Sequence, residues 1–170
     1  MYVSHFGFHR QPFHSADACR SFFVSESIRT ILPQLFHALR SDLGIAVLTG
    51  MPGSGKTSLL RHIQQQIANE GRAIVCSGAG LGTSAELNSV LLQASRRRAG
   101  NEDADRSIAA VTSTQESRAG ILDQVRRTAE LWGPVLLLID DAQLMPLSVL
   151  NELRACTEEE WNGRGLIRCL

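Results

Sequence analysis

Gly50-Met51-Pro52-Gly53-Ser54-Gly55-Lys56-Thr57 stands between a short apolar run and a segment with helical patterning. It has the P-loop form: a glycine, four residues, then glycine, lysine and threonine. Of the 17 Lys and Arg side chains, Lys56 is the single lysine. An ammonium is a compact charge on a thin stem that can reach β- and γ-phosphates, whereas a guanidinium is broad and planar. The glycines let the backbone curl so that successive N–H groups face phosphate oxygens at the positive end of the next helix. Thr57, followed by Ser58, offers a hydroxyl to Mg²⁺.

Both flanks agree with this reading. Gly44 to Thr49 (Gly-Ile-Ala-Val-Leu-Thr) predicts a buried parallel strand. After the loop, Leu59, Leu60, Ile63 and Ile67 recur at helical spacing, with Gly71 as a C-cap candidate. The competing explanation is a glycine-rich turn that holds no ligand. The lysine, the threonine and both flanks favour phosphate binding over it.

A second stretch completes the pattern. Val135-Leu136-Leu137-Leu138-Ile139 is an apolar strand opened by Pro134 and closed by Asp140 and Asp141. Ligands of parallel α/β sheets bind at that end of the strands. Two adjacent carboxylates there are costly unless a cation or hydrogen bonds offset them. Asp140 is therefore the candidate to hold Mg²⁺ through its water shell, the Walker B role. The alternative is a strand that simply ends in a polar loop.

Between the two motifs, Arg72 to Cys76 predicts the outer strand of the sheet. Thr83-Ser84-Ala85-Glu86 reads as a capping box opening a helix through Leu87, Val90, Leu91 and Ala94. Arg96-Arg97-Arg98 closes that helix, where basic side chains complement its dipole. Gly100 to Thr114 reads as a loop, and a further helix carries Ile121, Val125 and Leu131 before Gly133.

A length of 170 residues fits one structural domain, with residues 1–43 as an arm and helix ahead of a core at 44–170. Zero formal net charge excludes the broad basic field of a stand-alone nucleic-acid binder, while a local patch stays open. No apolar run approaches a membrane span, and no signal-peptide layout is present. Cys19, Cys76, Cys156 and Cys169 form no CxxC pair, which fits reduced thiols in a cytoplasmic protein. The spacings of His5, His9 and His14 to Cys19 match no standard zinc finger.

With both motifs placed, the chain resembles the AAA-type ATPase family that includes general secretion pathway protein A, and is also similar to transposition-helper ATPases. The resemblance is carried by Met1-Tyr2, Phe6-Gly7-Phe8, Pro12-Phe13, Phe22-Phe23, Leu35, Leu39 and the P-loop. It resumes at Leu138-Ile139-Asp140-Asp141-Ala142-Gln143 and at Leu153-Arg154. It implies a three-layer α/β P-loop NTPase of the additional-strand AAA type, with a parallel central sheet, ATP and Mg²⁺ as ligands, and ATP hydrolysis. Residues before the P-loop line the adenine pocket in such ATPases, which makes Pro12 and Phe13 candidates. Gln143 would lie near the γ-phosphate. The residue after the Walker B aspartate is usually a glutamate that activates water. Asp141 takes that place one methylene short, and errors of about 1 Å can cost ~100-fold in rate.

Two other departures bear on function. Pro33 falls inside the helix ahead of the P-loop and is expected to kink it or move its start. Ile167 to Leu170 reads as the beginning of the next core strand. The family's polar sensor, fifth strand, arginine finger and helical lid would all follow it, so a core truncated near the fourth strand is expected, with a raw edge or an unfilled central position. The implied partners are a homo-oligomer or a membrane-associated secretion partner, with work in the cytoplasm or at the inner face of the membrane. Three alternatives remain: a nucleotide-binding scaffold with little turnover, an ATPase assisting DNA transposition, and a small-molecule P-loop kinase. The acidic pair counts against the kinase.

Overall fold

The computed structural model of the protein describes residues 2–7, 22–41, 43–67, 72–96, 118–161 and 163–170. In chain order these form helices α1 (Tyr2–His5), α2 (Glu26–Arg40) and α3 (Lys56–Ile67), strand β1 (Arg72–Ser77), and helices α4 (Ser84–Arg96) and α5 (Arg118–Trp132). Strand β2 (Val135–Asp140), helix α6 (Leu147–Thr157) and the short strands β3 (Glu160–Trp161), β4 (Arg164–Gly165) and β5 (Ile167–Cys169) follow.

β2 is the middle of the structure. Leu137 and Leu138, adjacent in sequence, point to opposite faces and are both fully buried. A strand covered on both faces needs a continuous apolar run rather than alternation, and Val135 to Ile139 provides one. β1 pairs with β2 in parallel from Arg72↔Val135 to Ser77↔Asp140. β5 pairs with the other edge of β2, also in parallel, from Val135↔Ile167 to Leu137↔Cys169. Beyond β5, Ile45 makes one parallel bridge to Cys169. The spatial order is therefore β1, β2, β5 and then the segment leading into the P-loop. β1 is outermost, as its sequence predicts; β5 occupies the position between β2 and the P-loop segment only alongside Val135 to Leu137, and the expected gap in the sheet lies beyond it, between Val47 to Gly50 and Ile139 to Asp141.

Helices cover both faces, giving three layers. On one side Ile74, Leu137, Ile139 and Ile167 pack with Leu87 and Leu91 of α4, Ile121 and Val125 of α5, and Val149 and Leu153 of α6. On the other, Leu138 and Leu170 pack with Leu35 and Leu39 of α2 and Leu59, Leu60, Ile63 and Ile67 of α3. This is the parallel α/β P-loop architecture expected from the motifs.

The local signals explain most helix boundaries. The capping box forms as predicted: the Thr83 N–H donates to Glu86 Oε2 at 2.8 Å, and the Glu86 N–H donates back to Thr83 Oγ1 at 3.3 Å. Ser25 caps α2 by accepting from the Ile28 N–H. α2 runs from Glu26 to Arg40 through Pro33, so of the two expected outcomes, a kink or a moved start, the start is not moved, and Pro33 lies on the exposed side. There the ring meets solvent, and water can satisfy the carbonyl one turn back. Ring stacking of Phe22 on His62, with centroids 4.5 Å apart, ties the segment before α2 to α3.

Two expectations fail. Gly44 to Thr49 is not a buried strand: its ladder is one bridge, and Ile45 and Val47 are exposed. It leans on the three-residue β5 along one edge only, which limits the pairing. Leu131 does not share the buried face of α5 and is 76% exposed. Ten residues beyond Ile121, it is rotated about 80° from that face at 100° per residue. Thr128 takes the place and donates its hydroxyl to the Ser95 carbonyl of α4 at 3.2 Å. Gly71, the predicted loop Gly100 to Thr114, Arg97 and Arg98, and the histidines and cysteine His9, His14 and Cys19 lie outside the described residues.

Removing the α4 cap tests this assembly. Thr83→Ala should lower unfolding stability by ~1 kcal/mol in a urea titration, with an unchanged slope against denaturant.

Candidate functional site

The P-loop joins the edge segment to α3, and its geometry follows from two left-handed glycines. Gly53 has φ +77° and Gly55 has φ +88°, values that side-chain-bearing residues rarely adopt. The Ser54 N–H donates to the Met51 carbonyl at 3.2 Å, closing the turn. A Cβ at Gly50 would come within 3.0 Å of Ser54 Oγ, so the loop is tight where it leaves the sheet. Helix α3 then opens at Lys56 with no acidic side chain in its first turn, leaving its positive end uncompensated.

Lys56 folds over the loop. Its Nζ donates to the Gly50 carbonyl at 2.8 Å and to the Met51 carbonyl at 2.9 Å. An ammonium has three donors, so these bonds aim the group while a third N–H is left for another acceptor.

A cavity of about 700 Å³, the size of a ligand pocket, lies between the loop and the C-terminal ends of the strands. Gly50, Pro52 and Lys56 border it from one side, and Asp140, Asp141 and Gln143 from the other. Its apolar walls are Met145 ahead of α6, Leu150 and Leu153 of α6, Cys169 and Leu170 at β5, and the segment Ile45 to Leu48 with Leu60 and Ile139. The structure thus brings together the two motifs that the sequence separates. Met51, Gly53, Ser54 and Gly55 complete the loop away from the cavity lining. Thr57 and Ser58 occupy the first turn of α3, Thr57 on an exposed position. Pro12 and Phe13 lie outside the described residues.

Asp140 closes β2, half-buried, opposite Ser77 of β1. Asp141 is exposed and adopts φ 53° and ψ 44°. It is the one side-chain-bearing residue with positive φ among those described. Aspartate is among the few such residues that enter this region readily, because its short polar side chain can bond locally. Here the Gln143 amide donates to Asp141 Oδ1 at 2.9 Å. The turn continues with the Leu144 N–H donating to the Asp141 carbonyl at 2.9 Å, and buried Met145 anchors its far side.

The AAA domain family matches the chain over residues 26–168, from α2 into β5. The chain belongs to that family. No curated protein and no solved structure matches it. Membership brings nucleotide binding, in the general sense of AAA domains, to this chain. Its residues fit such ligands: two left-handed glycines, an ammonium aimed by carbonyls and an uncompensated helix start suit phosphate. One strand-end carboxylate and one helix hydroxyl suit an ion that keeps most of its water, as Mg²⁺ does. Among the described residues no cluster of three or more His, Cys, Asp or Glu could hold a metal by itself, and no helix is long and apolar enough to cross a membrane.

Sequence reasoning missed Gly78, just past the end of β1, which packs against the main chain of Asp141 and Ala142. The available signal was its position: a glycine directly after an outer strand that ends level with the acidic pair.

Among the described residues the thiols of Cys156 and Cys169 are buried and that of Cys76 is half-buried. Burial pushes the Cys76 thiol from its ordinary 9.0 up to about 11, and raises Cys156 and Cys169 as well. A raised thiol pKa means that the folded state holds the proton more tightly than the unfolded state. The resulting stability should be intact below pH 9.0 and be lost as pH rises toward about 11. Denaturant titrations across that range check the sign, and peptide mapping after alkylation at pH 8 should find Cys76 and Cys169 unmodified until the chain unfolds.

Proposed function

We propose that this AAA domain binds ATP·Mg²⁺ and hydrolyses ATP, with Lys56, Asp140 and Asp141 as the principal groups. The observation that carries the reading is the single cavity bordered by the P-loop lysine and by both strand-end carboxylates. The phosphates lie beside the cavity, at the start of α3, where the amides of Gly53, Ser54, Gly55, Lys56 and Thr57 hold them and the Lys56 ammonium offers its N–H to β- and γ-oxygens. Thr57 and Asp140 are the residues that would hold Mg²⁺, which when bound would neutralise charge building on the phosphate oxygens. Asp141 orients the attacking water and accepts its proton, and its carboxylate keeps one oxygen for that task while Gln143 engages the other. Gln143 lies beside the cavity, on the side where the γ-phosphate would lie.

Hydrolysis in this class is coupled to movement of a partner. The resemblance to the secretion family favours a homo-oligomer or a membrane-associated secretion partner, working in the cytoplasm at the inner face of the membrane. A second reading, a nucleotide-binding scaffold with little turnover, is favoured by the aspartate at position 141, one methylene shorter than the usual glutamate. Service in DNA transposition predicts turnover stimulated by DNA.

Lys56→Ala should weaken ATP binding by ~10- to 100-fold, since charge-assisted hydrogen bonds contribute roughly 1.5–3 kcal/mol. A titration with a fluorescent ATP analogue that returns unchanged affinity removes the phosphate assignment. Asp141→Asn should lower phosphate release by at least ~100-fold with nearly unchanged affinity. A wild-type protein that binds ATP but releases no phosphate, alone or with DNA, establishes the scaffold instead.

A further inference from the structure

Asp141 is held from two sides, and one of the holders is a residue that carries no functional group. A Cβ built on Gly78 would overlap the Asp141 carbonyl oxygen, and would lie 2.9 Å from its carbonyl carbon and 3.1 Å from Ala142 Cα. These are main-chain atoms, with no flexible side-chain end that could move aside. The same Asp141 oxygen accepts from the Leu144 N–H, so the turn cannot easily rotate away. The main chain of Asp141 is in the left-handed region, and that sets the direction in which its carboxylate leaves the strand. On the side-chain end, Gln143 holds Oδ1 at 2.9 Å.

We propose that Gly78 and Gln143 are positioning residues for Asp141: Gly78 admits the left-handed turn, and Gln143 fixes the carboxylate that the turn presents. The inference rests on the reading of Asp141 as the group that activates water. It also accounts for an aspartate at a place where the family usually has glutamate. A backbone that turns left-handed at this residue suits the shorter side chain, and it redirects the carboxylate instead of merely drawing it back. The turn just past β1 thereby contributes to the site without placing any side chain in the cavity.

The test compares wild type, Gly78→Ala and Gln143→Leu in the full chain. ATP affinity is read by titration, kcat and KM by phosphate release, and the main-chain conformation of residue 141 by its ¹³Cα and ¹³Cβ chemical shifts. Gly78→Ala should lower kcat by ~100-fold, the scale of a 1 Å displacement, and should remove the left-handed shift pattern at Asp141 while ATP affinity is kept. Gln143→Leu should lower kcat by ~10-fold with KM unchanged. A purely structural role for Gly78 would lower the melting temperature with kcat intact, and that result overturns the proposal. So does a Gly78→Ala protein whose Asp141 keeps its left-handed shifts. If Gly78→Ala does not fold, an unchanged kcat in Gln143→Leu decides against it. A wild-type protein that binds ATP without turnover removes the hydrolysis reading, and the chemical shifts then decide the geometry on their own.

Discussion

Burial of β2 on both faces is the constraint from which the remaining architecture follows. Leu137 and Leu138 can both be withdrawn from water only if helices cover both sides of the strand and partners hydrogen-bond along both edges. β1 and β5 satisfy the edges, α4, α5 and α6 cover one face, and α2 and α3 cover the other. Parallel pairing then brings the strand ends to one side of the sheet. β1 reaches its end at Ser77 opposite Asp140, and β5 lies between β2 and the segment that enters the P-loop. The distance along the sequence between Lys56 and the acidic pair is thus closed by sheet order.

Much of this was legible because each motif is a local device with a strict backbone requirement. The left-handed glycines of the P-loop, the acids at the end of an apolar strand and the reciprocal bonds of Thr83 and Glu86 are all fixed within a few residues. What was not legible depends on neighbours distant in sequence. The apolar run Gly44 to Thr49 has the composition of a core strand, yet Val47 is exposed, because burial depends on what pairs along its far edge. Leu131 is apolar but out of phase with Ile121, so its type misled where its angle did not. The left-handed Asp141 could not be foreseen either. It arises where the turn after β2 meets Gly78, a residue 63 positions earlier in the chain.

The two halves of the candidate site also differ in how they are held. The P-loop is organised by its own atoms: loop carbonyls aim Lys56, and the Met51–Ser54 turn closes on itself. The acidic half is held from outside by Gly78 just past β1, by the turn through Leu144 and by buried Met145. Phosphate recognition therefore rests on local structure, whereas the direction of the Asp141 carboxylate rests on tertiary packing.

Arg168 connects two parts of the molecule that the sequence places far apart. It sits on β5, the strand between the Walker B strand and the P-loop segment, and its Nη1 donates to the Leu39 carbonyl near the end of α2 at 3.0 Å. That carbonyl is at the negative end of the helix, where a guanidinium is electrostatically matched. The bond supplies a partner to a carbonyl of the last turn of α2, which the helix itself leaves without one, and so ties β5 to the helix that precedes the phosphate loop.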